Sequence, residues 1–551
     1  MLLVFVPGAL AQGQTTSVAA GPLTLDQALE LSEARSEAVG IAEAGTRRAE
    51  ANVRVSRSAL FPQLMLQAGY DRTLATEFKG VFGPTTNAPA CPPFSPVPSA
   101  ALADRVAEIE RAIDCGAIVS GLFGGNTTNS LPFGRTNAWR FNLTFSQSLF
   151  NTSTAAQIRA SRAARDTAGL TLTSARAQVL FDVTQAYYDA ALADRLVAIA
   201  EATLTQSQAT LRQVQEAFNA GVQPEFELLR ARVNRDTQQP VLIRQRAARD
   251  VAMLRLRQML DLPASTRLVL PDTLSDPQLP PPHAFAERVA YVEARLGGID
   301  DPETAFGPDA AVPARTAVTE AQVNVRSAQA ALDIARAERL PSFSLDSSYG
   351  RVAYSAFPAP GDFRTNWTVG GTVNVPILTG GRIGANTAAA QAQVDAARLQ
   401  LQQTEELSDL DSRQALAELV AARAAWEATA GTVEQADRAY QIADVRYRNG
   451  VSTQLELSDS QLALEQAQAN RAQAARDLQV ARARVALLPA LPLGTTAAGE
   501  SVVPSSPQSL PQPATPQPMP TAPLEPSAPS STGGLSAISA SPGVTMTGAA
   551  R

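Results

Sequence analysis

The chain has 551 residues, a formal net charge of -6 and only 5% aromatic residues. That charge gives a nucleic-acid partner no electrostatic support, and so few aromatic rings argue against one large globular core. Ala, Gln, Arg, Glu and Leu dominate long stretches, the composition of extended or coiled helices.

In chain order, residues 1–11 read as a secretory signal segment ending in the small-x-small site Ala9-Leu10-Ala11, without the usual basic start. No cysteine follows that site to carry a lipid. No later apolar run reaches the ~18 residues of a membrane-spanning helix. A first repeat is expected over 23–262. It opens with a helix from Thr24 to Leu60, capped at Thr24-Leu25-Asp26 and stopped at Pro62. A strand follows with Leu64, Leu66, Ala68 and Tyr70 on one face. Its partner strand sets Trp139, Phe141, Leu143 and Phe145 against Arg140, Asn142, Thr144 and Ser146. Between them, 71–138 is an insertion with a helical piece (Ala100 to Ile113) and both cysteines. Cys91 and Cys115 are a candidate loop-closing disulfide in an oxidising compartment. A polar helix from about Thr152 to Phe218 then spans roughly 100 Å at 1.5 Å per residue.

A Pro- and Asp-rich linker over 263–312, with an amphipathic piece at Ala284 to Leu296, precedes a second repeat over 313–488. Phe343, Leu345 and Tyr349 alternate with Ser344, Asp346 and Ser348, and Trp367, Val369, Val373 and Val375 alternate with Thr368, Thr372 and Asn374. A second long helix runs from about Arg382 to Arg446. Residues 489–551 form a Pro-rich tail expected to be disordered. The duplication is explicit: Phe218-Asn219-Ala220-Gly221-Val222 returns as Tyr447-Arg448-Asn449-Gly450-Val451, and Gly221 to Gly450 spans 229 residues.

Four strands apolar on one side and polar on the other, with aromatic residues near their ends, are the pattern of a lipid-facing sheet with a wet inner face. Four strands close no membrane barrel, since such barrels begin at about eight. An open edge in lipid leaves backbone groups unpaired at several kcal/mol each. Copies must therefore pool strands: two supply about eight and three about twelve. The long helices are expected to stand in water and pack through small residues, Ala160, Ala163 and Ala164 in the first repeat and Ala388 to Ala390 and Ala392 in the second.

The ordered set Leu23-Thr24-Leu25-Asp26-Gln27-Ala28-Leu29, Phe61-Pro62-Gln63-Leu64, Leu340-Pro341-Ser342-Phe343 and the two Gly-Val turns resembles the TolC-like outer-membrane efflux protein family over about Leu23 to Leu488. The resemblance implies a membrane α+β fold: a homotrimer with a 12-stranded outer-membrane β-barrel, four strands per chain, continued by a long periplasmic α-helical barrel. It implies a passive exit duct for drugs or proteins, in tripartite efflux or type I secretion, working with a periplasmic adaptor and an inner-membrane pump. The alternative is a structural periplasm-spanning coiled-coil tether or adhesin anchored in the outer membrane.

Gly221 and Gly450 read as helix C-terminal glycines in the left-handed region, with Pro224 as a first-turn proline. By resemblance the same turns are adaptor-contact tips: Ala220, Gly221, Val222, Asn449, Gly450 and Val451. Glu456 and Asp459 share a helix face. The resemblance implies acidic rings at the tunnel mouth, which attract cations; equally, Thr453 to Glu456 fits a capping box. Tyr447 and Glu227 match gate residues, while the family's arginine two residues past the second glycine is Ser452 here, which implies a weaker latch. The single histidine, His283, sits in a proline-rich loop. No nucleophile motif, phosphate loop or metal-ligand spacing appears, so neither catalysis nor a cofactor is expected.

Overall fold

The computed structural model describes residues 22–75, 92, 94–114, 136–263, 265–271, 274–276, 278–296 and 314–494. Cys91, Cys115, the segment 1–11 and nearly all of the tail lie outside them. The elements are α1 (Leu25–Arg35), α2 (Glu37–Ser58), β1 (Gln63–Arg72), α3 (Leu102–Asp114), β2 (Asn137–Phe150), α4 (Thr152–Asn219), α5 (Glu225–Met259), α6 (Ala286–Leu296), α7 (Thr316–Ala337), β3 (Ser342–Ala353), β4 (Arg364–Asn374), α8 (Arg382–Arg448) and α9 (Gln454–Leu487). The order helix, strand, strand, long helix, shorter helix occurs twice. No described helix is long and apolar enough to cross a membrane.

One expectation fails at the start. The predicted helix from Thr24 to Leu60 is two helices, because Ser36 is extended (φ -63°, ψ 123°) and its hydroxyl accepts from Val39 N at 3.5 Å. A serine that caps a new helix competes with the backbone of the old one. At the front of α1, Thr24 and Gln27 form a reciprocal capping box.

The four strands form one antiparallel sheet in sequence order, β1-β2-β3-β4. Register settles its faces. Leu66, Leu143, Tyr349 and Trp367 stand in one row across the sheet, and Leu64, Phe145, Ser347 and Val369 in another. Behind them, Met65, Thr144, Ser348 and Thr368 make the corresponding polar-face row, with Gln67, Asn142, Gly350 and Asn366 beside it. Strands of 10, 14, 12 and 11 residues all reach or exceed the 9–11 residues that cross a bilayer at a tilt. The outer strands β1 and β4 are exposed along their whole length. Each presents an unpaired edge.

The helices continue the strands. α2 leads into β1, β2 into α4, α7 into β3, and β4 into α8. α2 and α5 pack on α4, α7 packs on both α4 and α8, and α9 packs on both α4 and α8. The helical layer therefore runs α2/α5, α4, α7/α9, α8, in the order of the strands. Its free flanks are α2/α5 and α8, on the same sides as the free edges β1 and β4. The flanks bear large exposed apolar side chains: Ile41, Val55, Phe226, Val233 and Ile243 on one, Leu399, Leu410, Ile442 and Val445 on the other. Small residues do line the helix contacts, as Ala156, Ala186, Ala190, Ala397, Ala415 and Ala475 are buried, but the named alanines divide. Ala163 is buried, but Ala164, Ala388, Ala389 and Ala392 are exposed.

The core gathers midway along the long helices, where α1, α6 and the linker cover α4, α5, α8 and α9 through Leu29, Phe181, Tyr187, Leu256, Phe285, Leu419 and Leu478. Tyr187 keeps a polar bond there, its hydroxyl donating to Leu23 O at 3.0 Å. Beside this core lies a charge cluster. Arg315 and Arg484, each 1% exposed, share the carboxylate of Asp411, and Arg484 also reaches Glu418. Arg315 further donates to Leu491 O at 3.1 Å. Removing one partner of such a buried cluster strands the others without water. Asp411→Ala is therefore expected to destabilise the protein by about 3–5 kcal/mol. The readout is a lowered thermal midpoint of the helical circular-dichroism signal. Arg165→Ala, which breaks only the exposed pair with Asp166, should leave that midpoint nearly unmoved.

Candidate functional site at the hairpin tips

The two ends of the long helices turn in the same way. Val222 N donates to Ala217 O at 2.9 Å and Gly221 N to Phe218 O at 2.9 Å; Val451 N donates to Arg446 O at 2.9 Å and Gly450 N to Tyr447 O at 3.0 Å. This is the Schellman arrangement, which requires a left-handed residue after the cap. Gly221 and Gly450 supply it, at φ 75° and 70°. An added Cβ at either would meet nothing within 4 Å. Conformation, not space, demands glycine.

Pro224 is the N-cap of α5 rather than a first-turn residue, with φ -76° and ψ 157°. Ala220, Gly221, Val222, Asn449, Gly450 and Val451 are all exposed. Val222 is 75% and Val451 66% exposed, so each tip ends in an uncovered apolar side chain.

Behind the tips the hairpins touch. Tyr447, near the end of α8, packs against Leu211 and Val214 of α4 and Leu228 and Ala231 of α5. Gln454, the first residue of α9, is buried. With its amide oriented to suit its neighbours, Nε2 donates to Glu227 Oε2 at 2.7 Å and to Glu227 O at 2.9 Å, while Oε1 accepts from Ala231 N at 3.1 Å. Two turns on, Gln461 Nε2 donates to Thr203 O at 3.1 Å and Ser207 Oγ at 3.3 Å. The seam facing α9 on α4 is Thr203, Ser207, Thr210 and Val214, all buried. Apart from Val214 it is small and polar.

The structure thus brings Tyr447 and Glu227 to one contact and leaves the other predicted residues apart from it. Thr453 Oγ1 accepts from Glu456 N at 3.3 Å, which is half of a capping box. The returning half is missing, because the Glu456 carboxylate accepts instead from Arg446 Nη1 at 2.9 Å. That pair is about half exposed and contributes little stability. Asp459 is exposed and has no ion-pair partner among the described residues. Ser452 Oγ is covered and has no hydrogen-bond partner among them.

Gln454, Gln461 and Arg446 were not anticipated. A signal existed for the first two: Gln454, Leu457 and Gln461 recur at i, i+3, i+7 and are all buried, a stripe that reads as polar from composition alone. Among the described residues no group of three or more His, Cys, Asp or Glu could hold a metal ion. His283 begins a single 3₁₀ turn, His283–Phe285.

Comparison with known proteins gives this geometry its context. The sequence profile described as outer membrane efflux protein matches residues 105–261 and 308–490, more than half of the chain. The chain belongs to the outer membrane efflux protein family. Membership places it in the outer membrane. No curated protein sequence matches it. Among solved structures it is similar in fold to VceC of Vibrio cholerae (17% identity, 84% of this chain and 96% of that one, TM-score 0.59). It is likewise similar to the Campylobacter jejuni CmeC outer membrane channel (15%, 90% and 96%, 0.60). A third is the open state of the Neisseria gonorrhoeae MtrE outer membrane channel (16%, 85% and 89%, 0.56). Members of this family are outer-membrane proteins that extend into the periplasm, and the chain shares that location.

Burial, and next the nearby Glu227 charge, push the Tyr447 phenol above the ordinary tyrosine range. A raised folded-state value means the contact is complete below the unfolded tyrosine value near pH ~10 and weakens as pH climbs past it. The hairpin contact at Tyr447 is therefore expected to loosen above pH ~10 in wild type, read as a falling thermal midpoint. Tyr447→Phe should remove that part of the alkaline loss while leaving the midpoint at pH ~7 nearly unmoved.

Proposed function

We propose that three copies close into one wall, forming a passive outer-membrane exit duct with a 12-stranded barrel above a periplasmic helical barrel. One observation carries this reading: the open edges and open flanks coincide. β1 with α2/α5 on one side and β4 with α8 on the other are uncovered together, so a single rotation of an identical copy pairs strand with strand and helix with helix. Closure also puts the exposed apolar rows of the sheet against lipid and its Gln, Asn, Ser and Thr rows around water. A tether or adhesin has no use for that wet inner face.

The tips are the periplasmic end. Their exposed Val222 and Val451 and the flanking Ala220, Gly221, Asn449 and Gly450 are the surface for a periplasmic adaptor, which joins the duct to an energy-supplying inner-membrane pump. Drugs or secreted proteins are the cargo classes. Tyr447, Glu227 and Gln454 hold the hairpins together when the entrance is shut. The unpartnered Ser452 stands where a charged link would reinforce them. Glu456 and Asp459, repeated three times, give six carboxylates at the mouth that enrich cations.

Purified protein is expected to migrate as a heat-modifiable oligomer and to conduct ions in planar bilayers; a stable monomer without conductance would defeat the proposal. Ser452→Arg should lower the resting conductance, and a wild-type leak as small as that of arginine-containing relatives would count against a weakened latch. Glu456→Gln with Asp459→Asn should move the reversal potential in a salt gradient toward equal cation and anion permeability. An unchanged potential removes the two carboxylates from the selectivity of the mouth.

A further inference from the structure

Among the strand residues on the apolar face of the sheet, only two side chains are charged, and both are arginines near the ends away from the helices. Arg72 follows Tyr70 on that face of β1, and Arg351 of β3 stands level with Phe141 and Ala68. The sheet's carboxylates, Asp71 and Asp346, are on the opposite face with Arg140 and Arg364. Asp71 is already paired with Arg140 at 2.6 Å. Asp362, in the β3–β4 loop, accepts from Ser355 Oγ at 3.1 Å and Ala359 N at 3.0 Å.

Among the described strand residues, neither arginine faces a carboxylate on its own side of the sheet. Arg351 Nη2 donates to Pro360 O at 3.2 Å and its guanidinium lies over the Phe363 ring at 5.4 Å, while its Nε is covered. Trp139, diagonal to Arg351 across the β2–β3 register, lies against Tyr70 at 4.5 Å with its indole N–H covered. Tyr70 is turned aside to Asn137 Oδ1 at 2.7 Å. Arg72 is exposed and makes no hydrogen bond or ion pair among the described residues.

Depth explains why these cations are tolerated. Phe343 to Arg351 is eight residues, roughly 27 Å of strand, which after tilting nearly crosses an apolar band of ~25 Å. Pro360 and Phe363 belong to the β3–β4 loop, and the Phe363 ring packs on Phe141 at 5.5 Å, so the Arg351 stem lies along apolar surface with its head beside the loop, as in a snorkelling arginine. Aromatic stems and an arginine head at that height face lipid headgroups, where arginine costs little.

We propose that Arg72 and Arg351 bind the headgroup of an outer-leaflet lipid carrying two phosphates. The proposal rests on the membrane reading of the sheet given above. Phosphate supplies the negative charge that this face of the described sheet lacks, and the guanidinium fork suits its oxygens. The two arginines are two strands and four residues apart, roughly 16 Å between Cα atoms, a spacing that long side chains shorten to that of two phosphates on one headgroup.

The test uses the full-length oligomer in nanodiscs of zwitterionic lipid, supplemented with bisphosphorylated lipid A or its dephosphorylated form. Retained glycolipid is measured by native mass spectrometry. Wild type is expected to prefer the phosphorylated form by about tenfold or more, and millimolar inorganic phosphate should not displace it. Arg72→Gln with Arg351→Gln should erase the preference, while Arg364→Gln, at similar height on the polar face, should keep it. Both variants should retain wild-type conductance, which monitors folding. Equal retention of the two forms by wild type, loss of preference in Arg364→Gln, or displacement by inorganic phosphate overturns the site. The wild-type comparison needs no variant to fold. A conducting wild type without preference sinks this site alone, whereas a chain that fails to insert sinks the membrane reading as well.

Discussion

The constraint on which the structure depends is the pairing of backbone groups along the edges of β1 and β4. In hydrocarbon no water replaces a missing strand, and every unpaired N–H or C=O costs several kcal/mol. Four strands in a meander cannot remove those edges by curling onto themselves. The fold answers by giving the helical layer the same order and the same two open flanks as the sheet. One neighbour then relieves both layers at once. Large apolar side chains left uncovered on α2, α5 and α8 are the helical counterpart of the unpaired strands.

Within the chain, adhesion is uneven along the helices. At the middle, burial is dense and charged groups are enclosed: Arg315 and Arg484 are almost wholly buried and share the carboxylate of Asp411. Near the tips the seam between the hairpins is Thr203, Ser207, Thr210, Gln454 and Gln461. Neutral hydrogen bonds of this sort each contribute only about 0.5–1.5 kcal/mol net. Surface ion pairs such as Arg446 with Glu456 add less. The chain is held firmly at its waist and loosely at its hairpin tips.

Much of this was legible from the residues. The strands show because alternation between a lipid side and a wet side imprints a period of two, as in Leu64, Leu66, Ala68 and Tyr70. The turns show because only glycine tolerates the left-handed backbone that Gly221 and Gly450 adopt. What was hidden depends on partners distant in the chain. Arg315 and Asp411 are 96 residues apart and Arg484 and Asp411 are 73 apart, so no local pattern marks these arginines as buried. Gln454 likewise has its partners, Glu227 and Ala231, on another helix. Ser36 was a local signal overlooked: a capping residue inside a helical pattern reads as a helix until its own hydroxyl satisfies the next turn. Glu456 had two readings from sequence, and Arg446, ten residues back, supplies a third.

The enclosed carboxylate of Asp411 has a mechanical meaning. From Asp411 to Tyr447 the chain is one unbroken α-helix, a stiff arm of roughly 54 Å pinned at one end by buried charge. A tilt of a few degrees about that pin sweeps the free end sideways by several ångström, farther than any contact at Tyr447 or Gln454 can stretch. In the proposed duct, leverage of that kind turns a small rotation at the waist into a large separation of the tips without melting a single turn of helix.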